Sequence, residues 1–97
     1  MNLEGFEESL GAGAPPADLA PALRALWHAA AGNWHRAHEL VQAEDSDAAA
    51  WVHAYLHRAE GDQANAGYWY RRAGKPHATE SLEAEWRAIA RTLLEET

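Results

Sequence analysis

From residue 19 onward, apolar side chains recur with a helical period, and short breaks divide the chain into segments. Leu19, Leu23, Leu26, Trp27 and Ala30 form one stripe, which Gly32 ends. Asn33 suits the N-cap of a second helix with Trp34, Ala37, His38 and Val41 on its apolar side. The run Glu44-Asp45-Ser46-Asp47 interrupts the pattern and offers caps for a third helix. Its stripe is Ala48, Trp51, Val52, Tyr55, Leu56 and Ala59, spaced as one helix face. Gly61-Asp62 repeats the stop-and-cap signal, and Ala66, Trp69, Tyr70 and Ala73 follow before Gly74-Lys75-Pro76 halts the segment. Thr79 is the expected cap of a last helix carrying Leu82, Trp86, Ile89, Ala90 and Leu93. On that helix Glu83, Arg87, Arg91 and Glu95 stand four apart, so opposite charges adjoin on a solvated face. No period-2 run of β-branched residues occurs. The pattern predicts an all-α fold of about five antiparallel helices, over 17–31, 34–43, 47–60, 63–73 and 80–95.

Residues 1–18 read as an N-terminal segment and linker, and 19–97 as a single helical domain. Leu3, Phe6 and Leu10 lie at i, i+3 and i+7, enough for one short amphipathic helix. Gly11-Ala12-Gly13-Ala14-Pro15-Pro16 then makes a connector ending in a helix start signal. Two readings stay open: a frayed tail, or a clip that folds back on the domain through those three apolar residues.

Length and composition narrow the classes. A chain of 97 residues and 10.7 kDa has room for one core, hiding about 60–65% of its unfolded surface. Without cysteine it has no disulfide, thiolate metal site, iron–sulfur cluster or cysteine nucleophile. Eight basic against fifteen acidic residues give −7, which argues against nucleic acid as a partner. Protonating all six histidines would bring that charge to −1. The acidic start Met1-Asn2-Leu3-Glu4 and the lack of any apolar run near 18 residues predict a soluble, cytoplasmic chain with no membrane partner. Each predicted helix carries one tryptophan: Trp27, Trp34, Trp51, Trp69 and Trp86. A tryptophan can bury roughly 200 Å², so all five are expected to fill the core. Trp51 is expected to be among the costliest residues to truncate.

Residues 25–42 laid on 54–71, an offset of 29, align Ala25/Ala54, His28/His57, Ala30/Ala59, Gly32/Gly61 and Ala37/Ala66. Asn33 and Asp62 are a chemically similar pair. In both copies a helix ends at glycine, a cap follows, and a small alanine four residues later lets paired helices approach closely. The stretches Gly32-Asn33-Trp34-His35-Arg36-Ala37 and Gly61-Asp62-Gln63-Ala64-Asn65-Ala66 resemble the turn into the second helix of a tetratricopeptide repeat. Ala66, Tyr70 and Ala73 sit where that family keeps small, aromatic, small. The chain departs from the family in its period, 29 rather than 34, and in lacking its first-helix tryptophan–leucine–glycine pattern. Covering about residues 20–76, the resemblance implies two stacked helical hairpins, a C-terminal capping helix and a protein-binding role.

Candidate chemistry gathers on the third helix. His53, His57, Ala50 and Ala54 lie opposite its main stripe, a small and weakly charged face that invites a second contact. The repeat makes His28 the counterpart of His57, so Arg24, His28, His53 and His57 are expected to line the inner surface of the array. Three readings compete for that groove: filling by the N-terminal segment or another chain, recognition of a peptide partner, and metal binding. His-x-x-x-His suits Zn²⁺ or Ni²⁺, with His28 as third ligand. The glutamate of His-Glu-x-x-His is missing, so metalloprotease chemistry is not indicated. His38 is expected to pack at the edge of the Trp34 stripe, His35 to turn away, and His77 to be exposed.

Arg71, Arg72 and Lys75 form the single basic cluster, at a helix end where cations complement the dipole. Tyr68 points away from its stripe beside them, which makes a secondary contact patch. Nearly all the glutamates read as outer-face residues. Ser9, Ser46 and Ser81 occur in capping or linker contexts, and Gly11-Ala12-Gly13 lacks the context of a phosphate loop. The expectation is a non-enzymatic helical-repeat module without cofactor, binding a protein, a peptide or another copy of itself.

Overall fold

The computed structural model describes residues 1–96. Its elements are α1 (Leu3–Ser9), a 3-10 turn (Leu10–Ala12), α2 (Pro21–Ala30), α3 (Trp34–Gln42), α4 (Asp47–Ala59), α5 (Gln63–Ala73) and α6 (Leu82–Glu95). No strand occurs among the described residues, and the fold is all-α.

Two helix starts differ from the sequence expectation. Asp18 adopts a left-handed φ of 65°, which no helix from residue 17 could contain. Helix α2 begins instead at Pro21, whose fixed φ and missing N–H suit a first helical position. The cap of α6 is Ser81 rather than Thr79: its Oγ accepts from the Ala84 N–H at 3.1 Å. Glu80 lies outside the helix, its carbonyl accepting from the Arg58 guanidinium.

The two glycine turns match closely. Gly32 and Gly61 take φ of 87° and 89°, left-handed values that cost glycine little. The N–H of Asn33 donates to the His28 carbonyl at 2.8 Å, and that of Asp62 to the His57 carbonyl at 2.9 Å. Asn33 Oδ1 then accepts from Arg36 N at 3.1 Å, and Asp62 Oδ1 from Asn65 N at 3.2 Å. The α2–α3 and α4–α5 hairpins thus share one local design.

Leu23, Leu26, Val41, Val52, Leu56 and Ile89 anchor the main core, which also takes in Phe6, Trp27 and Trp86. Ala54, Ala66 and Tyr70 make a smaller cluster between α4 and α5. Trp51 borders both clusters but is only partly buried, with the Lys75 ammonium 4.2 Å from its ring centroid. Trp34 and Trp69 are also partly exposed. Only Trp27 and Trp86 are core residues in the full sense, which corrects the expectation for the other three.

The N-terminal segment shares the main core. Phe6 is fully buried and stacks on Trp86 at 5.6 Å, while Trp27 Nε1 donates to Ser9 Oγ at 3.1 Å. Arg87 ties Glu7 to α6 at 3.0 Å. The segment folds back onto α2 and α6 rather than onto the histidines of α4. No helix among the described residues is long and apolar enough to cross a membrane.

Candidate functional site

Trp34 fixes how α3 lies on α4. Its Nε1 donates to the Leu56 carbonyl at 2.8 Å, and fully buried Ala37 allows close approach. That seating carries His38, one turn beyond Trp34, over the α4 face bearing His53 and His57. Ring centroids are 4.7 Å apart for His38–His53, 5.3 Å for His38–His57 and 4.9 Å for His53–His57. His38 Nε2 and His53 Nε2 face each other at 3.0 Å. Two tryptophans wall the cluster: Trp34 stacks on His38 at 4.8 Å and Trp69 on His53 at 3.9 Å. The α4 back face expected to be a groove is therefore covered by α3 and α5, leaving His53 and His57 only 4% and 9% exposed.

His57 Nδ1 lies 2.7 Å from Glu60 Oε2. A carboxylate only accepts, so Nδ1 is the donor in this contact. His53 Nδ1 is buried and has no hydrogen-bond partner.

Burial above all, and then His38 and His57, push the pKa of His53 down to about 4. Burial also lowers His38, with His57 lowering it further and Glu60 opposing. An unfolded His53 takes up its proton near pH 6.5 and the native one only near 4, so stability is intact above pH 6.5 and falls as pH drops toward 4. The expected loss is about 3 kcal/mol by pH 4 in metal-free buffer. Urea midpoints between pH 7 and 4 should fall more steeply for wild type than for His53→Phe. Equal acid limbs would mean that His53 accepts its proton inside the fold.

The other sequence candidates lie elsewhere. His28 packs edge-on against Trp27 at 5.2 Å, and burial, then Arg36 and Arg24, lower its pKa. Arg24 donates to the Leu19 carbonyl at 3.3 Å. Neither joins His53 and His57; the third member of the cluster is His38. The repeat aligns the hairpin turns, His28 and His57 included, but does not bring those two side chains together. A legible signal for His38 was its i+4 spacing from Trp34. His35 is exposed as expected, and so is His77, whose Nε2 lies 2.8 Å from Gln63 Oε1.

A second polar group escaped sequence reasoning. Glu85 is 2% exposed, against the expectation of outer-face glutamates. Arg58 donates to its Oε1 at 2.8 Å, and the Tyr70 hydroxyl donates to Oε2. Burial, and then Glu85, push the Tyr70 phenol above its ordinary range.

On α5, Tyr68 is 48% exposed and Arg71 and Arg72 are exposed as well, as is Lys75 just beyond its end. Arg72 pairs with Asp45 at 2.9 Å and lies 5.9 Å from the Trp69 ring centroid. Between this strip and the histidines runs an open cleft of about 410 Å³, lined among others by His38, His53, Asp45, Trp69 and Arg72. Compared with protein-family models, curated proteins and solved structures, the chain has no match.

Proposed function

We propose that the chain is a small, non-catalytic, tetratricopeptide-like interaction module that binds an acidic peptide segment of another protein through α5. The carrying observation is the strip of exposed Tyr68 with Arg71, Arg72 and Lys75 on a molecule whose net charge is −7. Tyrosine and arginine combine contact area with charge-assisted hydrogen bonds, the chemistry of interface hot spots. The present partner of Arg72 is Asp45, whose side chain is 91% exposed. Such a surface pair contributes about 0–1 kcal/mol, so an incoming carboxylate can displace it. The repeated hairpin turn supports the likeness to tetratricopeptide modules. The serines are engaged otherwise: Ser46 and Ser81 cap helices, and Ser9 bonds Phe6 and Trp27. A cytoplasmic setting belongs to the same reading, in keeping with a charged, cysteine-free composition.

A photo-crosslinking amino acid at position 68, expressed in the source cell beside a control at exposed Glu83, tests the reading. The expected result is a crosslinked protein partner from position 68 alone, mapped to an acidic segment and lost in Arg71→Glu/Arg72→Glu. Equal crosslinking from both positions, a crosslinked dimer of the chain itself, or no crosslink overturns it.

A further inference from the structure

We infer that His38, His53 and His57 form a binding site for one divalent transition-metal ion of the Zn²⁺ class. The inference goes beyond the interaction reading and does not depend on it. Two ligands stand one turn apart on α4, and the third faces them from α3. One ring nitrogen from each lies within 4.8 Å of the other two. Zn–N bonds of about 2.0–2.1 Å at tetrahedral angles hold ligand nitrogens roughly 3.3 Å apart. The 3.0 Å between His38 Nε2 and His53 Nε2 is close to that spacing, and a small opening of the pair admits an ion. Without one, two facing Nε2 atoms must share a single proton; with one, both lone pairs bind the cation.

Two further observations support the site. Glu60 accepts from His57 Nδ1 at 2.7 Å, the outer carboxylate–histidine contact that orients a metal ligand and raises its basicity. The Trp34 and Trp69 rings hold His38 and His53 in place by stacking. An all-imidazole set favours Zn²⁺, Ni²⁺ or Co²⁺ over Mg²⁺ or Ca²⁺, which take oxygen ligands. Three protein ligands leave a fourth position, which water from the cleft bordering His38 and His53 can fill.

Calorimetric titration of Zn²⁺ into untagged, chelator-treated protein tests the site, with Co²⁺ absorption as an independent readout on wild type. One equivalent of Zn²⁺ should bind, and Co²⁺ should give the intense visible bands of a four-coordinate nitrogen site. Folded His38→Ala or His57→Ala should lose at least 100-fold in affinity and Glu60→Gln about 10–100-fold, while His28→Ala should bind as wild type. Weak binding at several sites, or equal losses in His28→Ala and His57→Ala, overturns the proposal. So does Co²⁺ with only the pale spectrum of the hydrated ion, a result that stands even if the alanine variants fail to fold. None of these readouts involves Tyr68, Arg71 or Arg72, so this site and the α5 surface can fail separately.

Discussion

Glu85→Ala is expected to destabilise the protein by about 3–5 kcal/mol, among the largest effects of any single substitution. Glu85 is 2% exposed, and its two oxygens are taken by Arg58 from α4 and Tyr70 from α5. Removing the carboxylate leaves a largely buried guanidinium and a buried phenol without their acceptor, and desolvation is not recovered. Arg58 also binds the Glu80 carbonyl, so the same change loosens the chain leading into α6. Glu85→Gln keeps the volume but loses the charge and should fall between wild type and alanine. The double variant Arg58→Met/Glu85→Leu should recover part of the loss, because the unpaired guanidinium is gone while the Tyr70 hydroxyl still lacks its acceptor. Urea unfolding followed by circular dichroism measures all three. A Glu85→Ala loss under about 1 kcal/mol would mean that water reaches the pair and screens it.

Trp86→Ala is expected to cost about 3–5 kcal/mol, and Trp51→Ala only about 1–2 kcal/mol. Trp86 is 7% exposed, stacks on Phe6, and donates from Nε1 to the Leu26 carbonyl at 2.8 Å. Its removal opens a cavity where α1, α2 and α6 meet and takes from the Leu26 carbonyl its second hydrogen bond. Trp51 lies partly in solvent beneath the Lys75 ammonium, and truncation there enlarges a surface hollow instead. Against a stability typical of small domains, about 5–15 kcal/mol, the first change can unfold much of the protein and the second cannot. Thermal midpoints in the opposite order would place Trp51, not Trp86, at the centre of the core.

Periodicity ranked Trp51 too high because a hydrophobic stripe reports which face turns inward, not how deep each residue lies. On α4 the face opposite the stripe is at least as buried as the stripe: Ala50, His53, Ala54 and His57 are buried, while Trp51 and Tyr55 are only partly so and Ala59 is exposed. A helix packed on two sides has no single apolar stripe, and small or weakly polar residues fill the second contact. The quiet composition of that face was a correct signal of contact. What covered it was α5 and His38, not the N-terminal segment, whose Phe6 was drawn to Trp86.

Where the deciding groups are neighbours along the chain, the sequence by itself determined the result. Gly32-Asn33 and Gly61-Asp62 end one helix and cap the next through contacts spanning five residues or fewer, and the four helical spans from α2 to α5 follow within a few residues. The choice of Ser81 over Thr79 was not purely local: serine caps somewhat better than threonine in isolation, and Arg58 also binds the Glu80 carbonyl from 22 residues away. The histidine cluster and the Glu85 pair were likewise decided by tertiary structure, across separations of 15 and 27 residues. Which side chains meet between helices depends on their crossing and rotation, set by Trp34 on Leu56 and by the close approach at Ala37. A repeat offset can align turns, because turns are made by adjacent backbone groups. It could not choose His38 over His28, because that choice depends on how one helix sits against another.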